Sequence, residues 1–415
     1  MFSYIYNKLA GSSADQSITL EPVQVHNIET NPEKRARTLK HLLRANHVNH
    51  AILYHSLHYH NHLPHLLGSA YLLGASPDQL QTLYETEDKE LEPWSDSPAE
   101  IVDNDWRDFL GDRTYQRAYV DFFEDRVVTR EANWEWKRVV EEYMFHPSDG
   151  GVPLINNVIA GLGHPLIHLG YAYEMDNKCV AIEALSMAAT QYNFMHKYLD
   201  DSTYTRPPPK GGFSSTSPME ILDKIRGDRR FDGLFDQYQG SGNIEVLFDQ
   251  HEDLVLEYWN AWRVGEEPVK RFRESQEAAT ALLVATVPPG THSYNFLIVH
   301  LLTTSHAVRI LLPFIPARFH LSLVRQWWLL TLSTYIAELR PKIDPDYIPW
   351  PEGSAAKTWA YVEDKALNSR WATDAHFVKA VRAMREAART WGDVHERYLA
   401  SAVRFVDDFD GWTFS

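Results

Sequence analysis

Seven histidines lie between positions 47 and 65 of this 415-residue chain, which has 20 histidines and one cysteine in total. Neutral imidazole is a strong ligand for transition metals, and without thiols nearby the cluster predicts a site of nitrogen and oxygen ligands. The alternative is a run of histidines on helix surfaces. We favour that alternative for His47, His50, His55 and His58. We assign these four to the surface or to positions that contact metal ligands without binding the metal. The seven are His47, His50, His55, His58, His60, His62 and His65.

The segment GHPLIHLG at residues 163–170 contains a second histidine pair. Proline is typical of the first helical position, so Pro165 makes His164 the cap residue and puts His168 one turn later on the same side. The positive end of the helix dipole lowers a histidine pKa and favours the neutral form that binds metal. The pair predicts two ligands for one ion, with a capping and a core histidine as the alternative.

Two further stretches carry candidate ligands. In HNHLPHLL, residues 60–67, Pro64 begins a helix with His62 just before it and His65 in its first turn. In FLIVHLL, residues 296–302, His300 interrupts an apolar helix. A buried imidazole must be satisfied, and either a metal or a plain hydrogen bond would do so.

The segment DAHFVKAVR at residues 374–382 places His376, Lys379 and Arg382 on one helical face. Lysine is seldom fully buried unless it is paired or modified. A desolvated lysine with a lowered pKa reacts with carbon dioxide, and the carbamate formed is an oxygen anion that can bind metal. The alternative is an ion pair between Lys379 and an acid such as Glu174.

Composition limits the kinds of partner that the protein is expected to bind. The formal net charge of −16 argues against nucleic acids and anionic membranes, because phosphate binding needs clustered cations. Aromatic residues make up 13% of the chain, which suits a large core or a pocket for a flat small molecule. The single cysteine, Cys179, excludes an internal disulfide framework and predicts a reducing compartment. With no apolar signal segment at the N-terminus, we expect a cytoplasmic protein.

Several common catalytic motifs do not occur in the sequence. There is no GxGxxG after a strand, no GxxxxGK[ST], no HExxH and no GxSxG. The apolar stretches 295–315 and 320–339 contain histidine and charged residues, so they are expected to be core helices and not membrane spans. The sequence therefore argues against tightly bound flavin or nicotinamide and against serine-hydrolase chemistry.

Helical periodicity predicts an all-α fold, with a single large helical domain and a metal centre between core helices. The expected boundaries are an N-terminal extension over 1–34 and a helical domain over 35–412. Irregular loops are expected near 85–99, 203–217 and 341–353; the second is either an active-site lid or a surface connection. A helix is expected to start at 76–77, and others over 35–55, 64–73, 115–145, 165–198, 218–235, 243–262, 269–283, 293–312, 320–339 and 371–409.

Four ordered motifs resemble the questin oxidase-like family of fungal polyketide metabolism. They are HNHLPHLLGSAYLLGASPDQL, GLGHPLIHLGYAYE, FLIVHLLTTSHAV and DAHFVKAVRAM, and the match covers roughly residues 35–400. Members are associated with oxidative cleavage of anthraquinone rings. The resemblance implies a non-heme Fe(II) centre that uses O2, held by several histidines with a carboxylated lysine as an oxygen ligand. Any NADPH would act without a dedicated binding motif.

The resemblance also implies residue roles. The expected metal ligands are His62, His164, His168, His300 and carboxylated Lys379. His65 and His376 are expected to act in catalysis from just outside the coordination sphere, and Tyr171 and Arg382 to contact the substrate. In one respect the chain departs from the family, which often has a doubled histidine where this chain has His65 followed by Leu66.

The implied function is a non-heme iron oxygenase that uses O2 to cleave a C–C bond of an anthraquinone-type polyketide. One alternative is an NADPH-dependent Baeyer–Villiger-type monooxygenase acting on the same substrates. A two-zinc hydrolase with a carboxylated lysine and a metal-free binding protein for an aromatic metabolite are the others. Metal content and O2 uptake distinguish them, and the sequence does not indicate the oligomeric state.

Overall fold

The computed structural model describes residues 17–129, 133, 135–146, 150–208, 210–235, 238–348 and 357–413. It is 62% helix and 3% strand, which confirms the predicted all-α class. Parts of four sequence predictions lie outside the described residues. These are positions 1–16 of the extension, 130–132 and 134 of the helix predicted over 115–145, 209 of the second loop and 349–353 of the third.

Sixteen α-helices occur in the described part of the chain. They are α1 (Lys34–Asn49), α2 (Leu63–Leu73), α3 (Pro77–Glu87), α4 (Gln116–Val128), α5 (Trp136–Val140), α6 (Ala160–Met175), α7 (Lys178–Thr190), α8 (Lys197–Asp200), α9 (Pro218–Gly227), α10 (Gly242–Ala261), α11 (Pro268–Val284), α12 (Phe296–Leu311), α13 (His320–Ala337), α14 (Trp359–Asn368), α15 (Ala375–Trp391) and α16 (Arg397–Asp408).

Four two-residue strands form two pairs in the described part of the chain. Strands β1 (Leu53–Tyr54) and β2 (Tyr59–His60) form an antiparallel hairpin between α1 and α2. Strands β3 (Tyr294–Asn295) and β4 (Trp412–Thr413) pair in parallel, so the C-terminal residues lie beside the start of α12. The second pair thereby brings Trp412 close to the first turn of a core helix.

Helix positions agree with the periodicity, but several predicted boundaries were wrong. The helix predicted over 165–198 is broken at Asp176, whose left-handed backbone (φ 50°) ends α6 before α7 begins. The helix predicted over 371–409 is broken between Gly392 (φ 74°) and Glu396 (φ 49°). The helix predicted over 35–55 ends at Asn49, and α14 was not predicted. Left-handed residues other than glycine have little sequence signature, which explains the merged predictions.

A left-handed turn interrupts α6 just before His164. Gly161, Leu162 and Gly163 have φ values of 55°, 57° and 79°. A β-carbon at Gly163 would lie 2.3 Å from Cγ2 of Thr304 on α12, so this position requires glycine both for its backbone and for space. The turn therefore allows the backbone next to His164 to pack closely against α12.

Buried apolar side chains from Ile18 to Phe409 form one continuous core around α6, α7, α12, α13 and α15. The segment before α1 packs onto this core: the backbone N–H of His26 donates to the carbonyl of Glu174 at 2.7 Å, and that of Ile18 donates to Nδ1 of His320 at 3.0 Å. Helices α12 and α13 are buried, as expected. No helix in the described ranges has the length and apolar character of a membrane span.

Candidate metal centre

Four histidines from four separate elements meet inside the helical body. Each of them offers one ring nitrogen, and these nitrogens all lie within 4.8 Å of one another. The two shortest separations are between Nε2 atoms: 2.8 Å for His62 and His164, and 3.2 Å for His300 and His376. We call His62, His164, His300 and His376 the histidine cluster.

Backbone carbonyls orient two of the rings. Nδ1 of His164 donates to the carbonyl of Gly161 at 2.6 Å, inside the left-handed turn. Nδ1 of His300 donates to the carbonyl of Phe296 at 2.9 Å, one helical turn earlier. A hydrogen on Nδ1 leaves the lone pair on Nε2, so both rings direct their ligand atoms into the cluster.

Helix starts position the other two rings. His62 precedes the first residue of α2, where Oδ1 of Asn61 accepts from the backbone N–H of Leu63 at 3.0 Å. His376 lies in the first turn of α15, whose cap residue Asp374 accepts from the N–H groups of His376 and Phe377. Capping therefore holds both histidines in place from the backbone side.

The electrostatics keep the cluster neutral. Burial lowers the pKa values of His62, His164 and His376 well below the ordinary value, and neighbouring cationic groups lower them further. Burial and the nearby Lys379 lower the pKa of His300 to about 3. Neutral imidazole is the form that binds a metal, so the four rings are ready to ligate at neutral pH.

One side of the cluster is more accessible than the others. His62 is partly exposed, whereas the other three rings are buried. Two half-buried aromatic rings lie beside His376: Phe296 at 4.6 Å and Trp412 at 6.0 Å between ring centroids. Nε1 of Trp412 donates to Asp374 at 2.7 Å, which fixes the indole against the start of α15.

Lys379 is buried one turn along α15 from His376. Its Nζ has no hydrogen-bond partner among the described residues, and burial lowers its pKa to about 7. The side chain lines a small internal cavity together with Thr303 and His306. The alternative ion pair with Glu174 does not form, because that carboxylate pairs with Arg382 instead.

The structure does not bring every predicted ligand into the histidine cluster. Nδ1 of His168 lies 2.6 Å from Nε2 of His65, and its Nε2 faces Glu183 at 3.5 Å. His168 is therefore not part of the histidine cluster, although it was expected to bind the same ion as His164. His376, which was expected to act in catalysis from outside the coordination sphere, is part of the cluster. His65 lies next to the cluster, with its ring centroid 5.7 Å from that of His62.

Tyr171 and Arg382, the predicted substrate contacts, are both buried and have protein partners. The hydroxyl of Tyr171 lies 2.5 Å from that of Ser69, and the guanidinium of Arg382 lies over the Tyr171 ring at 5.2 Å. Arg382 also forms the ion pair with Glu174. Their proposed contact with substrate stays a prediction.

Sequence reasoning missed three buried residues near the cluster. His60 stacks on His164 with ring centroids 3.7 Å apart and planes 3° from parallel. Glu183 and His47 form a buried hydrogen bond of 2.9 Å between Oε1 and Nδ1. Glu183 had a detectable signal, since it is a lone carboxylate in the apolar run AIEALSMAA and must have a partner there. His55 and His58 are exposed, whereas His47 and His50 are buried.

The surroundings of His47 predict that the free energy of unfolding of the protein depends on pH. Burial opposes its charge, but hydrogen bonds with Glu124 and Glu183 outweigh burial and raise its pKa to about 9. Because the folded pKa exceeds the unfolded value of about 6.5, this stabilisation is complete below pH 6.5 and is lost as the pH rises through 9. We expect the wild-type protein to lose about 2–3 kcal/mol of unfolding free energy across that window, discounted for the half-exposed Glu124.

Urea denaturation at the two ends of this window measures the effect in the wild-type protein and in His47→Gln. The variant should lose much less stability between the two pH values. The matched control is His58→Gln, an exposed histidine of the same stretch, which should follow the wild-type protein. Parallel losses in all three proteins would contradict an imidazolium held between two carboxylates.

Comparison with known proteins matches most of the chain to one protein family. The family model described as Questin oxidase-like matches residues 59–384, a range that contains all four histidines of the cluster. The chain is 27% identical over 387 residues to the Baeyer-Villiger oxidase mdpL of Emericella nidulans, covering 89% of this chain and 85% of the relative. It is 25% identical over 378 residues to a questin oxidase of Aspergillus fumigatus, covering 86% and 82%. A match to the oxidoreductase AflY of Aspergillus parasiticus is 25% identical over 353 residues, covering 80% and 69%.

Proposed function

Because the chain belongs to the questin oxidase-like family and is an oxidoreductase, we propose that it is a non-heme iron oxygenase. In this proposal it uses O2 to cleave a C–C bond in the ring system of an anthraquinone-type polyketide. The observation that carries the proposal is the convergence of four neutral histidine nitrogens within 4.8 Å in a buried site. His164 and His300 carry their ring hydrogens on Nδ1, so their Nε2 lone pairs face into the cluster, which is how imidazole ligands are arranged around a metal ion.

The donor set fits iron. Imidazole nitrogens suit Fe, and thiolate ligands, which would favour other metals, are excluded because Cys179 is the only cysteine. His62, His164, His300 and His376 would hold the ion, and the carbonyls of Gly161 and Phe296 would keep two of the rings oriented. When bound, Fe(II) supplies the O2 activation that amino-acid side chains lack.

Lys379 is proposed to supply an oxygen ligand as its carbamate. Its burial and its pKa of about 7 leave much of the amine neutral at physiological pH. The neutral amine adds to carbon dioxide, forms an N–C bond and releases one proton. The support is a buried Nζ with no protein partner among the described residues, a state that is costly for an unmodified lysine.

We propose that the flat substrate binds at the accessible side of the cluster, against Phe296 and Trp412. Both rings are half-buried and lie next to His376, so they offer aromatic faces close to the ligand nitrogens. Offset stacking on such rings stabilises planar aromatic molecules by about 0.5–1.5 kcal/mol beyond burial. His65, whose ring centroid lies 5.7 Å from that of His62, is proposed to exchange protons with the substrate.

A second candidate reaction is favoured by the names of relatives that are Baeyer-Villiger oxidases. In that reaction one oxygen atom is inserted next to a carbonyl, and the other leaves as water with two electrons and two protons from NADPH and solvent. In a dioxygenase reaction both oxygen atoms enter the product. The two reactions share the site and differ in the fate of the second oxygen atom.

The test combines elemental analysis with turnover under labelled oxygen. Protein purified without added metal should contain iron, lose turnover on chelation and regain it with Fe(II) but not Zn(II). Oxygen-18 incorporation and NADPH consumption distinguish the two oxygenation reactions. A carbon-13 carbamate signal that disappears in Lys379→Met would support the modified lysine. Full activity in chelator-treated, iron-free protein would exclude the iron oxygenase.

A further inference from the structure

A row of three histidines and two carboxylates leads away from the histidine cluster through the core. Nε2 of His65 lies 2.6 Å from Nδ1 of His168, whose Nε2 faces Oε2 of Glu183 at 3.5 Å. The other oxygen of Glu183 lies 2.9 Å from Nδ1 of His47, and Nε2 of His47 lies 3.1 Å from Glu124. These five residues come from α2, α6, α7, α1 and α4 in that order.

The two ends of this row differ in their surroundings. The Glu124 side chain is 45% exposed and reaches solvent, whereas Glu183 is 2% and His47 4% exposed. At the inner end, Nδ1 of His65 is buried and has no hydrogen-bond partner among the described residues. The row therefore connects solvent to a free ring nitrogen beside the cluster.

Two simpler interpretations do not account for the arrangement. A stabilising ion pair would need one histidine and one carboxylate, but here His47 hydrogen-bonds to two carboxylates. The second oxygen of Glu183 has no hydrogen-bond partner among the described residues and faces Nε2 of His168 at 3.5 Å. A second metal site would need ligand atoms that converge on one point. Among the described residues such convergence occurs only in the histidine cluster, whereas this row is extended.

We propose that Glu124, His47, Glu183 and His168 form a proton path between solvent and His65 at the histidine cluster. The proposal rests on the proposed function in that the cluster is taken as the reaction centre. A reaction that releases water from O2 takes up a proton from solvent, and groups that bind protons are needed to carry it into a buried site. Each member can accept a proton on one side and release another on the opposite side.

Each proton transfer along the path has a named donor and a named acceptor. His47, an imidazolium with a proton on each ring nitrogen, releases its Nδ1 proton to Glu183. Its ring then turns over, and the bare nitrogen takes a proton that Glu124 has received from water. Glu183 passes the proton received from His47 to Nε2 of His168, which releases its Nδ1 proton to Nε2 of His65. The widest gap is 3.5 Å between His168 and Glu183, so an approach of a few tenths of an ångström completes the hydrogen bond. Once His65 has released a proton toward the cluster, every member of the path carries the same charge as before the transfer.

Glu124→Gln tests the path at its solvent end, and the substitution keeps the size of the side chain and an oxygen that can accept from His47. We expect kcat to fall about tenfold and the solvent deuterium isotope effect to rise, a loss below the roughly 10²–10⁴ of a directly acting acid–base group. Glu124→Asp should recover part of the rate. The matched control is Asp125→Asn, an exposed neighbour outside the row, which should behave as wild type.

A metal-free readout separates this proposal from the oxygenase proposal. In nitrogen-15 histidine NMR of the metal-free protein, the ring N–H of His168 should exchange with solvent more slowly in Glu124→Gln and in Glu183→Gln than in Asp125→Asn. Unchanged exchange, together with wild-type kcat and isotope effect in Glu124→Gln, overturns the path even if the protein is an iron oxygenase. Conversely, slowed exchange supports the path even if no O2-dependent turnover is found.

Discussion

In the His300→Ala variant we expect iron affinity and O2-dependent turnover to fall by more than about 100-fold. Loss of an outer residue that only orients a ligand already costs about 10–100-fold in metal affinity or activity, so loss of a ligand should cost more. His300 is fully buried, and the carbonyl of Phe296 fixes its Nε2 toward His376 at 3.2 Å. Iron content after gel filtration and oxygen-electrode rates measure the two effects.

The control for this prediction is His58→Ala. His58 belongs to the same histidine-rich stretch but is exposed, and Nδ1 of its ring hydrogen-bonds to the carbonyl of His55. The control should keep wild-type iron content and turnover. Circular dichroism of His300→Ala must show intact helices for the comparison to hold. An iron content equal to wild type in a folded His300→Ala protein would remove His300 from the ligand set.

The second large effect concerns stability. Glu174→Ala should lower the free energy of unfolding by about 3–5 kcal/mol, because it leaves the guanidinium of Arg382 buried without its counter-charge. Arg382 is 1% exposed and Glu174 is 7% exposed at the side chain. Two guanidinium nitrogens of Arg382, Nε and Nη1, already lack hydrogen-bond partners among the described residues. Urea denaturation followed by circular dichroism measures the loss.

A double variant tests the physical reason. Glu174→Leu combined with Arg382→Met removes both charges, so most of the lost stability should return. As a surface control, Asp121→Asn breaks the exposed ion pair with Arg117 and should cost less than about 1 kcal/mol. If the double variant were no more stable than Glu174→Ala, the loss would come from packing and not from an unpaired charge.

Local sequence features were sufficient for most helices and for three members of the histidine cluster. Proline at the start and glycine at the end predicted α2 almost to the residue, since Gly74 takes the left-handed conformation that ends it. His62, His164 and His300 were expected as ligands, and the structure brings them together. These predictions rested on helix boundaries and on an unpaired imidazole in an apolar helix, both of which are properties of short segments.

The exchange of His168 for His376 in the cluster could not be predicted from spacing. A regular helix starting at Pro165 would put His164 and His168 on one face, but the left-handed turn at 161–163 precedes His164 and its carbonyl holds the ring. That turn exists because Gly163 packs against Thr304, which is distant in sequence. His168 is instead directed toward Glu183, a partner on the next helix.

The ion-pair partner of Glu174 could not be predicted from sequence spacing either. An ion pair between Lys379 and Glu174 was one alternative from the sequence, and Arg382 lies three residues further along the same helical face. The packing of α15 against the rest of the core brings Arg382 to Glu174 and leaves Lys379 without a partner among the described residues.

By itself the sequence determined the helical class, the family motifs and the residue types that can bind a metal, because periodicity and composition act over a few helical turns. Only the tertiary structure decided which nitrogens converge, which lysine stays unpaired and which acids extend the row of histidines to solvent. The physical reason is that side-chain direction depends on contacts between α2, α6, α12 and α15, whose residues are up to about 300 positions apart and leave no mark in local spacing.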